Sequence, residues 1–86
     1  MRSEDIFHIT PAQLRAARSL VDWSAQECAD AANVGVASIR RAERREGDKL
    51  GVLPAVEAAI RLSLEEAGVE FIPRNGGGPG VRLKAG

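Results

Sequence analysis

The chain has one cysteine, one histidine, no excess of charge of either sign, and no apolar run near the length of a membrane span. A lone cysteine excludes an intramolecular disulfide framework and suits a reducing cytoplasm. One histidine and no pair of cysteines exclude a His-rich or Cys-pair metal site. A span needs about 20 consecutive apolar residues, and the opening MRSEDIFHI has no apolar core of the signal-peptide kind. A cytoplasmic protein with no membrane partner is therefore expected. Catalysis is not expected either. His8 falls in a stretch without helical period, read as a frayed terminus, and no nucleophile, base and orienting residue assemble around it. The run Gly76-Gly77-Gly78-Pro79-Gly80 lacks the Lys-Ser/Thr and the following helix that a phosphate loop requires. No metal or other cofactor is expected.

What is present is ordinary in bulk and uneven in distribution. Eighty-six residues allow one small domain with one modest core. Twelve cationic and twelve anionic side chains cancel, so no global nucleic-acid signature exists. Residues 36–45 nevertheless hold four arginines and one glutamate, while residues 46–70 hold two cations against six carboxylates. Exposed charges are largely screened beyond about 8–10 Å at physiological salt, so a neutral chain can still present one basic face.

Helix signals divide the chain. Thr10-Pro11-Ala12-Gln13 is a helix start, with Thr as N-cap, Pro at the first helical position and Gln closing a capping box. Ile9 and Leu14 occupy hydrophobic-staple positions, and Leu14, Ala17 and Val21 form a buried stripe up to Asp22-Trp23. Ser24-Ala25-Gln26-Glu27 is a second capping box, and Cys28, Ala29 and Ala32 are the small buried face behind it. At Asn33-Val34-Gly35 the asparagine tolerates the left-handed conformation that ends a helix. A third helix is predicted from about Val36 to Arg45, with Ile39 and Ala42 inward and Arg40, Arg41 and Arg44 outward. A fourth starts near Pro54 and stops at Gly68, with Val56, Ala59, Ile60, Ser63, Leu64 and Ala67 inward. The period then falls to two. Residues 69–72 and 81–84 read as strands, joined by the glycine-rich loop 74–80.

The segment Ser24 to Arg45 carries the functional signal. Small Ala29 and Ala42, with a bend between them, let two helices cross closely at a steep angle. A cationic helix held at such an angle suits the major groove of DNA. Ser38 is placed to bond a phosphate, and Arg40 and Arg44 to neutralise phosphates. Trp23 is read as a core residue at a helix corner, and Cys28 as packing.

SAQECADAANVGVASIRRAERR resembles the helix-turn-helix of the lambda-repressor-like, Cro-type (XRE) transcriptional regulators. LRAARSLVDWS before it and PAVEAAIRLSLEEAGVEFIP after it extend the likeness over residues 10–72, and RNGGGPGVRL resembles the tail of small single-domain members. The resemblance implies a mainly α fold, a bundle of four or five helices carrying a C-terminal two-stranded β-hairpin or dimerisation strands. It divides the chain into an N-terminal arm (1–9), a helix-turn-helix DNA-binding domain (10–68) and a tail (69–86). It implies a homodimer on a palindromic operator in double-stranded DNA, acting as a repressor. Val36, Ala37 and Arg41 fall where the recognition helix touches base edges. Ser24, Gln26, Ser38, Arg40, Arg44 and Arg45 fall to the DNA backbone, and Arg18 and Glu43 to a structural ion pair. The chain departs from the family at Ala25, where Gln is usual, at Asn33 for Gly, at Gly35 for a polar cap, and at Val36 for Gln or Arg. These changes remove hydrogen-bonding groups from the reading surface.

Two points remain open in the sequence. A lone hairpin is marginal in water. Either Phe71 and Leu83 fold back on the fourth helix, or Val69, Phe71, Val81 and Leu83 serve dimerisation by pairing strands with a second copy, the expectation favoured here. The depleted reading surface also fits a second function class, an antitoxin-like module that binds and neutralises another protein partner.

Overall fold

The computed structural model describes residues 8–85. The expected arm, residues 1–9, lies outside the described residues except for His8 and Ile9. Four helices and one two-stranded antiparallel sheet follow in the order α1 (Pro11–Leu20), α2 (Ala25–Ala32), α3 (Val36–Arg44), α4 (Pro54–Glu66), β1 (Val69–Ile72) and β2 (Gly80–Leu83).

Local chemistry sets the boundaries. Both capping boxes form. The Gln13 N–H donates to Thr10 Oγ1 at 3.0 Å and the Thr10 N–H to Gln13 Oε1 at 2.9 Å; Glu27 and Ser24 repeat the exchange at 3.0 and 2.8 Å. Two otherwise unpaired amides are thereby satisfied at each helix start. Helix α2 ends on Asn33 in the left-handed conformation, φ 58° and ψ 46°. Asp22 also takes a positive φ, 59°, to turn α1 into α2, a short polar side chain being tolerated there. Helix α3 follows Gly35, which offers no side-chain cap, and stops at Arg44, one residue before the expected end. Helix α4 ends through Ala67 into Gly68, whose φ of +111° suits glycine.

The core is built from Ile9, Leu14 and Ala17, the small α2 face of Cys28, Ala29 and Ala32, Ile39 and Ala42 of α3, Leu50 of the connecting loop, Ile60 and Leu64 of α4, and Val69 and Phe71 of β1. Alanines on α2 let both α3 and α4 pack on it. Of the residues assigned inward, Val21, Val56 and Ala59 are half-buried at the edge of the core, and Ala67 is exposed where α4 ends.

The tail belongs to this core. Strand β1 pairs β2 in the register Val69–Leu83, Glu70–Arg82, Phe71–Val81 and Ile72–Gly80, so β2 starts one residue before the expected strand. Both strands pack on α1, and β1 also on α4. Of the four residues expected to serve dimerisation, two turn their side chains into the protomer's own core. Val69 and Phe71 are buried in their own protomer, Val81 is half-buried, and only Leu83 is exposed. Alternation places one strand face on the helices, and that face was already the shorter route to burial. A buried Gln13 fastens the hairpin, its Nε2 donating to the carbonyls of Ile72 (3.1 Å) and Gly80 (2.9 Å).

His8 is not frayed. Its Nδ1 lies 3.1 Å from Glu57 Oε1, and the Ile9 N–H donates to Glu57 Oε2 at 3.0 Å. A buried carboxylate on α4 thus ties down the entry to α1, which supplies the hydrogen bonds that burying a charge requires.

Candidate nucleic-acid interface

Helix α3 is sharply amphipathic. Ile39 and Ala42 enter the core at a spacing of three, so Arg40, Arg41 and Arg44 take the exposed side. Among the described residues none of these three guanidinium groups pairs with a carboxylate. Arg41 and Arg44 sit in the last turn, where cations meet the negative end of the helix dipole favourably.

The angle of α3 is held from α1. Arg18 donates through Nε and Nη2 to Glu43 Oε2 and Oε1 at 2.6 and 2.7 Å, a two-point contact, and through Nη1 to the Trp23 carbonyl at 2.8 Å. One guanidinium therefore links α1, the α1–α2 corner and the end of α3. The Glu43 carboxylate raises Arg18 above its ordinary range, chiefly through these hydrogen bonds and against the cost of burial. Arg15 adds a bond from Nη1 to the Glu43 carbonyl, one of the carbonyls left over at the helix end. Arg15 was not singled out in the sequence, although it lies one turn before Arg18 on the same face. The α1 arginines brace the helix, and the α3 arginines face solvent.

The remaining expected contacts divide. At the start of α3, Ala37 is exposed, while Val36 and Ser38 are half-buried. Ser24 and Gln26 are exposed, but both are engaged locally: the Ser24 hydroxyl accepts the α2 cap bond, and Gln26 Nε2 donates to Asp30 Oδ1 at 2.9 Å. Arg45, expected at the DNA backbone, has another attachment. It lies beyond α3, its Nε donates to the Lys49 carbonyl at 3.3 Å, and its guanidinium lies against Gly51. A Cβ at Gly51 would stand 2.5–2.6 Å from Arg45 Nε, Cζ and Nη1, and φ there is +72°. Arg45 thus staples the α3–α4 loop. No sequence signal couples two loop positions six apart.

Beside α3 the loop leaves two shallow grooves. One is lined by Arg41, Arg44, Arg45, Leu50, Gly51 and Val52, the other by Ser38, Arg41, Gly51, Val52, Leu53 and Val56. Arg41 borders both. Cys28 of α2 is fully buried in the core, and burial pushes its thiol up to about 11, so it is neutral and unreactive near neutral pH. Among the described residues no group of three His, Cys, Asp or Glu could hold a metal ion, and no helix is long and apolar enough to cross a membrane. Comparison with protein-family profiles and with curated proteins finds no match for this chain.

Proposed function

We propose that this chain is a sequence-specific binder of double-stranded DNA, a lambda-repressor-like helix-turn-helix regulator formed by α2, the Asn33–Gly35 turn and α3. One observation carries the reading: Arg40, Arg41 and Arg44 project, without a carboxylate partner among the described residues, from a short helix whose tilt is fixed by Arg18 and Arg15. A surface helix that only needed solubility would not need a two-point brace at one end. Arg41 reads a base edge through a bidentate contact to guanine, Val36 and Ala37 offer apolar contact to a thymine methyl, and Arg40 and Arg44 neutralise phosphates. The action is occupancy of an operator, as repression, by a symmetric dimer in the cytoplasm, without catalysis.

Selection of random duplexes with the purified protein tests this. A palindromic consensus with half-sites about one helical turn apart is expected. Binding without sequence preference refutes it. A protein-binding, antitoxin-like role is favoured by a separate observation: Leu53, beside the reading helix, is 71% exposed, and the front of α3 offers no hydrogen-bonding side chain before Ser38. Under that reading the selection yields no consensus.

A further inference from the structure

Away from α3, three segments meet at an open cleft of about 200 Å³. The entry to α1 gives His8 and Thr10, the α3–α4 loop gives Asp48 and Lys49, and the hairpin loop gives Pro73, Arg74 and Pro79. Lys49 and Arg74 are exposed, and among the described residues neither side chain has a hydrogen bond or ion pair, although Asp48 shares the cleft. Two cations drawn from different segments to one concavity repel each other unless an anion lies between them, and a cleft focuses that field. The loop that presents Lys49 is held where Arg45 donates to the Lys49 carbonyl, and the entry to α1 is held where Glu57 meets His8. The hairpin is fastened to α1 by Gln13.

We infer that this cleft binds a phosphate-type oxyanion between Lys49 and Arg74, and that its occupant is a backbone phosphate of bound DNA. The second half rests on the DNA-binding reading above; the first does not. Lys49 adjoins Leu50 and Gly51, which line the groove under Arg41 and Arg44. The α3–α4 loop is therefore bordered by cations on both sides. A duplex lying along α3 meets one grip from the helix and a second from the hairpin loop. Asp48 opposes the anion, so its removal strengthens binding.

The test compares the wild-type chain with Lys49→Gln/Arg74→Gln, Asp48→Asn and, as a charge control, Lys84→Gln, whose ammonium instead donates to the Glu65 carbonyl. The first readout is the salt slope of binding to the selected duplex. Each phosphate contact contributes about 0.9 to that slope, so the double variant should lose about two with its base preference intact. Asp48→Asn should bind more tightly, and the control should lose no more than a general charge effect. The second readout is an amide NMR titration with inorganic phosphate against chloride of equal ionic strength. Shifts at His8, Lys49 and Arg74 that vanish in the double variant support the oxyanion site. An unchanged slope on a duplex that the wild type binds with preference overturns the DNA occupant and leaves the proposed function standing. If the wild type selects no duplex, the proposed function fails, and the phosphate titration alone decides the cleft. Absence of shifts together with an unchanged slope overturns the inference entirely.

Discussion

Arg40, Arg41 and Arg44 share a helix face, yet a guanidinium does different work according to what it meets. A bidentate contact to one guanine is worth about 1–3 kcal/mol of discrimination. Arg41→Ala should therefore flatten the preference at one operator position, measured by competition among single-base variants. Arg40→Ala or Arg44→Ala should weaken all sequences alike and reduce the salt slope by about one. Arg18 has the opposite profile, because it braces α3 and faces no ligand. Removing it leaves the Glu43 side chain, only 10% exposed, without its charged partner. Losing one member of a buried pair costs about 3–5 kcal/mol, and Arg18 is itself partly exposed, so Arg18→Ala should cost about 2–3 kcal/mol in denaturant unfolding. Where that variant is still folded, its salt slope should be retained. Cys28 supplies a pH dependence whose sign can be fixed. Its thiol keeps a proton in the native state up to about 11, while the unfolded thiol releases it near the ordinary value of about 8.5. The native state then binds more protons, so stability falls as pH rises through that window. Cys28→Ala should lose less stability than wild type between pH 8.5 and 11, measured by urea titration at each pH.

Elements were legible where one short-range rule decided them. Thr10 with Gln13, and Ser24 with Glu27, marked two helix starts because a capping box needs only four residues. Asn33 marked the turn because few side chains accept a positive φ. The Arg18–Glu43 pair entered by resemblance, and the structure brings the two together at 2.6 Å. Contacts between segments distant in sequence left no such trace. Gln13 was legible as half of a capping box, but not as the anchor of a hairpin 59 residues further on. Glu57 entered the sequence reading only as one of six carboxylates in residues 46–70, and its burial comes with bonds to an amide and a ring nitrogen of a segment 48 residues earlier. Arg45 was assigned to the DNA backbone, and its hold on the α3–α4 loop was not legible because helical period carries no information past a helix end. The α3–α4 loop that Arg45 holds is testable as a unit. Gly51→Ala should cost about 1–2 kcal/mol from the left-handed backbone alone, and more because the new Cβ displaces Arg45. In an Arg45→Ala background the extra cost should vanish while the backbone cost remains. Equal costs in both backgrounds would show that Arg45 does not rest on Gly51 in solution.

At the scale of the molecule, size and charge bear on how two copies would sit on a duplex. The body measures 32 × 31 × 25 Å, and half-sites read from one side of B-DNA stand about 34 Å apart. Two copies in direct contact thus come close to one helical turn without any linker. Zero net charge removes the long-range repulsion that would oppose such a pair. The outward candidates for the contact are few. Burial of Val69 and Phe71 leaves Leu83, 52% exposed, as the large apolar residue of the tail that faces solvent. It stands on β2, whose partner on one side is β1, so an edge-to-edge sheet between copies would bring two Leu83 side chains near the symmetry axis. Truncating the tail would remove core residues and unfold the protomer, so it cannot test this. Leu83→Lys can, since it changes an exposed side chain and sets like charges against each other across the axis. The variant's unfolding free energy should stay within about 0.5 kcal/mol of wild type, as surface changes do. Its mass in solution should fall from dimer to monomer, and it should bind single half-sites as wild type does while losing the gain from paired ones. An unchanged mass, with the fold intact, would move the contact from the tail to the exposed leucines of α4 and its cap.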